Sequence, residues 1–234
     1  MDKTKVDVIL VSDIHLGSET SHAKELRSML ETYEFKKLIL LGDVFQDINM
    51  SRLHRAHWKV LSFLRKMTDP ENNIDVIWIE GNHDWKVLNI VGALVGIDIH
   101  DEYIWESNGK KFLAIHGHQF DLSLPKSEFL NAVGQNIYLF LQKHFHYKFT
   151  RYISKVSNKF SRSVENVREG AIEYAKSKNC DYVFCGHTHH AEHFENYFNT
   201  GTWSDNITPT YITITNGEIT LHEYRPNDNN TNEK

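Results

Sequence analysis

Five times along this 234-residue chain an apolar run stops abruptly at a loop of Asp, Asn or His. Residues 6–11 run into Ser12-Asp13-Ile14-His15-Leu16-Gly17, residues 38–41 into Gly42-Asp43, and residues 76–79 into Glu80-Gly81-Asn82-His83-Asp84. Residues 111–115 end in His116-Gly117-His118, and residues 182–185 in Gly186-His187-Thr188-His189-His190. Strands without a polar face must be covered on both sides. Ligands of sheets covered in this way gather at the carboxyl ends of the strands, which predicts the polar loops along one edge.

The intervening segments support that arrangement. Leu26, Met29, Leu30 and Tyr33 recur at helical spacing behind Ser21, a suitable N-cap, and Leu53, His57, Val60, Leu61 and Leu64 mark a second helix. From about residue 97 the texture changes to short strands, at 103–106, 111–115 and 182–185. The chain then closes on a hairpin, 211–215 and 218–224, turned at Asn216-Gly217. The expectation is a mixed α/β protein with a second, partly antiparallel sheet, forming one domain over residues 1–224. The polar residues 225–234 are expected to be disordered.

One stretch breaks the rhythm. Residues 123–168 carry no strand pattern but two helical ones, on Phe129, Val133, Ile137, Phe140 and Leu141, and on Phe149, Tyr152, Ile153, Val156 and Phe160. Lys126, Lys143, Lys148, Arg151, Lys155, Lys159, Arg162 and Arg168 outnumber Glu128 and Glu165, a local +6 in a chain of net charge −5. This predicts an inserted basic helical cap. Amphipathic, basic segments suit a membrane surface, at about 1 kcal/mol per basic residue near anionic headgroups. The alternative is a helical pair packed on the core with a solvated basic face. The longest uncharged run, 129–142, would extend only about 21 Å as a helix against a hydrocarbon layer of roughly 30 Å, so it does not span a bilayer.

With 40% hydrophobic and 24% charged residues, the composition is that of a globular protein, and the net charge argues against a general nucleic-acid binder. Cys180 and Cys185 flank a strand at odd separation, which predicts opposite faces and no pairing. The first residues lead into a strand without a leader-like apolar stretch, so the expected location is cytoplasmic, with peripheral attachment to the inner face of the membrane.

Collected from the five loops, Asp13, His15, Asp43, Asn82, His83, His116, His187 and His189 are oxygen and imidazole donors, with no cysteine among them. Two divalent metals close together need a bridging carboxylate and about three further ligands each, and Asp43 is the natural bridge. Mixed hard oxygen and imidazole suits Mn, Fe or Zn and disfavours Ca. Such a pair lowers the pKa of a water and neutralises charge on a phosphoryl group under in-line attack. In the Asn82-His83-Asp84 turn an imidazole can carry a proton and a carboxylate can orient it.

Asp13-x-His15, Gly42-Asp43, Gly81-Asn82-His83-Asp84, His116 and Gly186-His187-x-His189 resemble, in order and spacing, the five signature motifs of the calcineurin-like metallophosphoesterases, over roughly residues 6–203. The resemblance implies a four-layer α/β/β/α sandwich of two mixed sheets and a cofactor of two divalent metal ions, Mn ahead of Fe or Zn. Asp13, His15, Asp43 and His189 would hold one ion, and Asp43, Asn82, His116 and His187 the other. His83 is similar to the family's non-ligand histidine at the leaving group, with Asp84 orienting it.

The insertion, together with His22-Ala23-Lys24-Glu25-Leu26 and Asn199-Thr200-Gly201-Thr202-Trp203, resembles the UDP-2,3-diacylglucosamine pyrophosphohydrolase branch of lipid A synthesis. In that branch the cap holds acyl chains and its basic surface meets the membrane. Two positions depart from it: the branch carries Arg where this chain has His83, and His-Gly-Asp where it has His116-Gly117-His118. The functional expectation is hydrolysis of a lipid-linked nucleotide diphosphate at an anionic membrane surface. The alternatives are a soluble phosphomono- or diester substrate, and a metal-bound binding module without catalysis. Arg52, Arg55, Lys86, His118 and His190 lie near the loops as candidate substrate contacts. His22, His54, His57 and His100 lie off the strand ends and read as packing or surface residues.

Overall fold

The computed structural model describes residues 3–83, 92, 95–121 and 150–226, the side chains of 150–159 aside. The predicted helix on 129–141, Asp84, Lys86 and the tail from 227 lie outside the described residues. Thirteen strands are described: β1 (Thr4–Lys5), β2 (Val8–Val11), β3 (Tyr33–Glu34), β4 (Lys37–Leu40), β5 (Asp75–Ile79), β6 (Ile99–His100), β7 (Glu102–Ser107), β8 (Lys110–Ile115), β9 (Tyr182–Cys185), β10 (Glu192–Phe194), β11 (Tyr197–Asn199), β12 (Thr210–Thr215) and β13 (Glu218–Glu223). The described helices are α1 (Ala23–Glu31), α2 (Arg55–Met67) and α3 (Thr150–Ser177). A six-stranded sheet runs β13-β12-β2-β4-β5-β6, and a five-stranded sheet runs β10-β11-β9-β8-β7.

Alternation along each strand assigns the layers. Ile9 and Val11 of β2, Leu38 and Leu40 of β4, and Val76 and Trp78 of β5 face the core beneath α1 and α2. Their neighbours Val8, Leu10, Ile39 and Ile79 instead meet Phe112, Ala114 and Phe184 between the sheets. On the far side Leu113, Ile115, Val183 and Cys185 pack with Val167, Ala171 and Ala175 of α3. Both faces of every central strand are therefore dry, which explains the unbroken apolar runs. The order of layers is α/β/β/α, as expected.

β2, β4, β5 and β6 are mutually parallel, and so are β8 and β9. Their carboxyl ends consequently point to one edge of the sandwich, where the five polar loops meet. The backbone stitches them together: the amides of Asp13 and His15 donate to the carbonyls of Gly42 and Asp43, and Gly186 N–H donates to His116 O.

Several local expectations change. Helix α1 is capped at His22, without a side-chain cap. Ser21 Oγ instead donates to Ile14 O, so its hydroxyl braces the Asp13–His15 loop. Leu53 precedes α2 and ends a single 3-10 turn. Cys180 and Cys185 are free thiols in one apolar cluster, because Cys180 precedes β9 and strand alternation does not reach it. The second cap pattern from Tyr152 onward lies in α3, which continues unbroken to Ser177; Phe149 lies outside the described residues. No helix among the described residues is long and apolar enough to cross a membrane.

Candidate metal centre

The loops hold their donors in a backbone form that most residues avoid. Asp13, His15, Asp43, His187 and His189 all have φ between 49° and 67°. Left-handed conformation at a non-glycine residue costs on the order of 1–3 kcal/mol and persists only where surrounding contacts impose it. Five such residues in one cluster mark a place where side-chain direction outweighs local backbone comfort. Gly42 allows the close approach: a Cβ there would lie 2.5 Å from His116 Nδ1.

Each carboxylate anchors one oxygen and presents the other. Asp13 Oδ2 accepts the amide of His187 at 2.9 Å, while its buried Oδ1 has no hydrogen-bond partner and lies 3.2 Å from His189 Nε2. Asp43 Oδ1 accepts the amide of His83 at 2.9 Å, and Oδ2 lies 3.4 Å from His116 Nε2 and 3.9 Å from His83 Nε2.

The imidazoles follow the same division. His116 donates Nδ1–H to Leu41 O at 2.6 Å and turns Nε2 to Asn82 Oδ1 at 3.2 Å. His187 places Nε2 3.0 Å from Asp121 Oδ2 and Nδ1 3.0 Å from Asn82 Oδ1. His189 places Nδ1 2.7 Å from Asp205 Oδ2 and Nε2 3.2 Å from His15 Nε2. His83 donates Nδ1–H to Gln46 O at 3.0 Å. An outer nitrogen held by a carbonyl or carboxylate, with the inner one aimed at shared space, is how protein imidazoles are prepared for a metal.

Among the described residues, three groups bring ligand atoms within 4.8 Å of one another: Asp13, His15 and His189; Asp43, His116 and His187; and His15, Asp43 and His83. The first two are subsets of the two expected ligand sets, while the third places His83 as near to Asp43 as a ligand would be. The donors fit divalent cations. Asn82 Oδ1 faces two imidazole nitrogens whose partners on the outer side are already found, and Asp13 Oδ1 is buried without a hydrogen bond. A cation among them satisfies these acceptors together.

The electrostatics point the same way. Burial pushes His116 down, but Asp43 beside it prevails and raises it to about 9. Burial is likewise overcome at His189, which Asp13 and Asp205 raise to about 10. Burial would raise Asp13 and Asp43, yet the histidines hold both below the usual carboxylate range, Asp43 well below. Burial depresses His15 to about 3. The pocket of carboxylates thus draws positive charge inward.

The candidate substrate contacts are scattered. His118 stands beside the centre, its ring 5.4 Å from that of His116, and burial lowers it to about 4. His190 is exposed with its ring 6.0 Å from Phe160 of α3. Arg52 pairs with Asp47 at 2.6 Å, and Arg55 is exposed at the start of α2. Sequence reasoning missed Asp121, Asp205 and Gln46. The only available signal was Asp121 following a motif loop by a few residues.

The sequence profile of the calcineurin-like phosphoesterase family matches residues 6–191. No curated protein sequence gives a significant match. Among solved structures, Vps29 from Cryptosporidium parvum is 17% identical with a TM-score of 0.52, covering 97% of this chain and 95% of that one. A single mutant of Vps29 from Entamoeba histolytica is 15% identical, TM-score 0.51, over 94% and 93%. YfcE, a phosphoesterase from E. coli, is 18% identical, TM-score 0.50, over 89% and 88%. At these identities the likeness is one of fold.

Proposed function

Because the chain belongs to the calcineurin-like phosphoesterase family and is a metal-dependent phosphoester hydrolase, we propose that its strand-end cluster works with two divalent ions. Asp13, His15 and His189 would hold one, and Asn82, His116 and His187 the other, with Asp43 between them. Such a pair supplies Lewis-acid polarisation of a phosphoryl oxygen and water of lowered pKa. Mn²⁺ is the ion to try first on the family resemblance; the mix of carboxylate, amide and imidazole donors suits Mn, Fe and Zn alike.

The protein's own groups do the rest. The anchored carboxylates and histidines keep the donors aimed before substrate arrives, so little reorganisation is needed. His83, with Nδ1–H on the Gln46 carbonyl, turns Nε2 toward the centre. When protonated there it can give that proton to the leaving oxygen. The Gln46 carbonyl orients the ring at Nδ1, and Asp84 is proposed to reinforce that orientation. The observation that carries this reading is the division of Asp13, Asp43, His83, His116, His187 and His189 into a held atom and an atom facing the shared space.

The finer reading is a lipid-bearing phosphoester, such as a UDP-diacylglucosamine-like nucleotide, cleaved at an anionic membrane surface. It is favoured by Phe160, an exposed aromatic that places an apolar group beside His190 at the site's rim, and by Arg162, exposed two residues further along α3. Arg168 does not add to that surface, since it pairs with Glu192 at 2.7 Å and covers the Phe194 ring. The branch resemblance itself rests on sequence motifs.

The deciding experiment is hydrolysis of a chromogenic phosphodiester by the purified chain with Mn²⁺, before and after chelation. Mn²⁺-dependent turnover is expected. Its absence on this ester, on a monoester and on a lipid-linked pyrophosphate would overturn the proposal in favour of a binding module.

A further inference from the structure

We infer that Asp121 is a positioning residue that ties α3 to one half of the metal centre, so that metal occupancy and the seating of that helix depend on each other. The inference rests on the metal-site reading above and adds a coupling that the reading does not require.

Asp121 Oδ2 lies 3.0 Å from His187 Nε2 and accepts a 2.6 Å hydrogen bond from Ser163 Oγ of α3. The other nitrogen of His187 faces Asn82 within the cluster. One chain of contacts therefore runs from the helix through a carboxylate and an imidazole to the donors.

The register of α3 explains why a serine is there. Ser163, Val167, Ala171 and Ala175 are spaced by four and form one stripe, and the last three are fully buried against the five-stranded sheet. A hydroxyl on such a stripe needs a partner, and Asp121 provides it. Packing reinforces the bond: a Cβ at Gly170 would come 2.7 Å from the Phe120 ring, and one at Gly117 3.0 Å from Val167. The turn His118–Phe120 and Asp121 after it are thus keyed to the helix surface.

The other half of the centre is built differently. There His189 is held by Asp205, on the loop between β11 and β12. The coupling is accordingly one-sided, acting on the ion that His187 would bind. Outer carboxylates of this kind fix the ring orientation and basicity of a ligating histidine. By linkage, whatever the helix contributes to metal affinity, the metal returns to the helix.

The test uses the full chain, with Mn²⁺ as probe, in wild type, Ser163→Ala, Asp121→Ala and Asp121→Asn. Calorimetric titration should find two Mn²⁺ in the wild type. Asp121→Ala should weaken one binding event by about 10–100-fold and Ser163→Ala the same event by less, with the other event unchanged. Asp121→Asn, which keeps the volume and one oxygen acceptor but not the charge, should recover only part of the loss, whereas a mere packing defect would be repaired in full. Hydrogen exchange around residue 163 should slow on adding Mn²⁺ in the wild type and not in Ser163→Ala. Unchanged dissociation constants in Ser163→Ala and whichever Asp121 variants fold, or Mn²⁺-independent exchange in the wild type, would overturn the coupling while two-metal binding stands. A wild type that binds no Mn²⁺ would overturn both.

Discussion

At His83 the two ring nitrogens have separate tasks, and Gln46 assigns them. Its carbonyl can only accept, so Nδ1 carries the hydrogen and Nε2 is left to face Asp43. His83→Ala should leave Mn²⁺ content unchanged and lower turnover by about 10²–10⁴-fold; measured metal content and kcat separate proton delivery from ligation. At Gly42 the backbone and the site compete for the same space. With φ at 85° and His116 against it, Gly42→Ala should cost on the order of 1–3 kcal/mol of strain. Urea unfolding should register that loss, and Mn²⁺ titration should weaken as the His116 ring is displaced. The donor residues were legible in the sequence because each directly follows an apolar run. Their holders were not: Gln46, Asp121 and Asp205 are ordinary polar residues until the fold brings them to a ring nitrogen.

Among the elements, the central strands were legible almost to the residue because both faces are buried and no polar residue interrupts them. The short strands β6, β10 and β11 were not, since a two- or three-residue pairing leaves no period to read. Helix α2 carries a second kind of histidine. His57 is fully buried, accepts the amide of Gly17 at Nδ1, and stacks on His54 at 3.6 Å. Burial, aided by His54, lowers it to about 4 from an ordinary 6.5. The folded pKa is the lower one, so the stabilisation is complete above about 6.5 and is lost as pH falls through 4. Over that window the unfolded chain binds a proton that the native chain does not, a loss of up to about 3 kcal/mol. Urea unfolding from pH 7 to pH 4 should follow that decline, and His57→Gln, which can still accept the Gly17 amide, should flatten it.

At the scale of the whole molecule, two sheets pack face to face and bring the loops after β2, β4, β5, β8 and β9 to one edge. Metal bound only by the folded state must then stabilise that state. At a free Mn²⁺ concentration about 100 times its dissociation constant, each site should add about 2.7 kcal/mol, and chelation should lower Tm in calorimetry accordingly. The basic residues of 123–168 belong to the same scale: sedimentation with anionic vesicles should pull the chain down at low salt and release it at high salt. Failure at low salt would favour a soluble substrate.

The sequence by itself determined the layered α/β architecture and the edge where the candidate donors gather, because burial on both strand faces and polar strand ends are local properties. Only the tertiary structure decided which atom of each donor faces inward. That choice depends on partners 16 to 174 residues away, as with Asp205 for His189 and His187 for Asp13. Distance along the chain hides such pairs, and the packing of the two sheets brings them together.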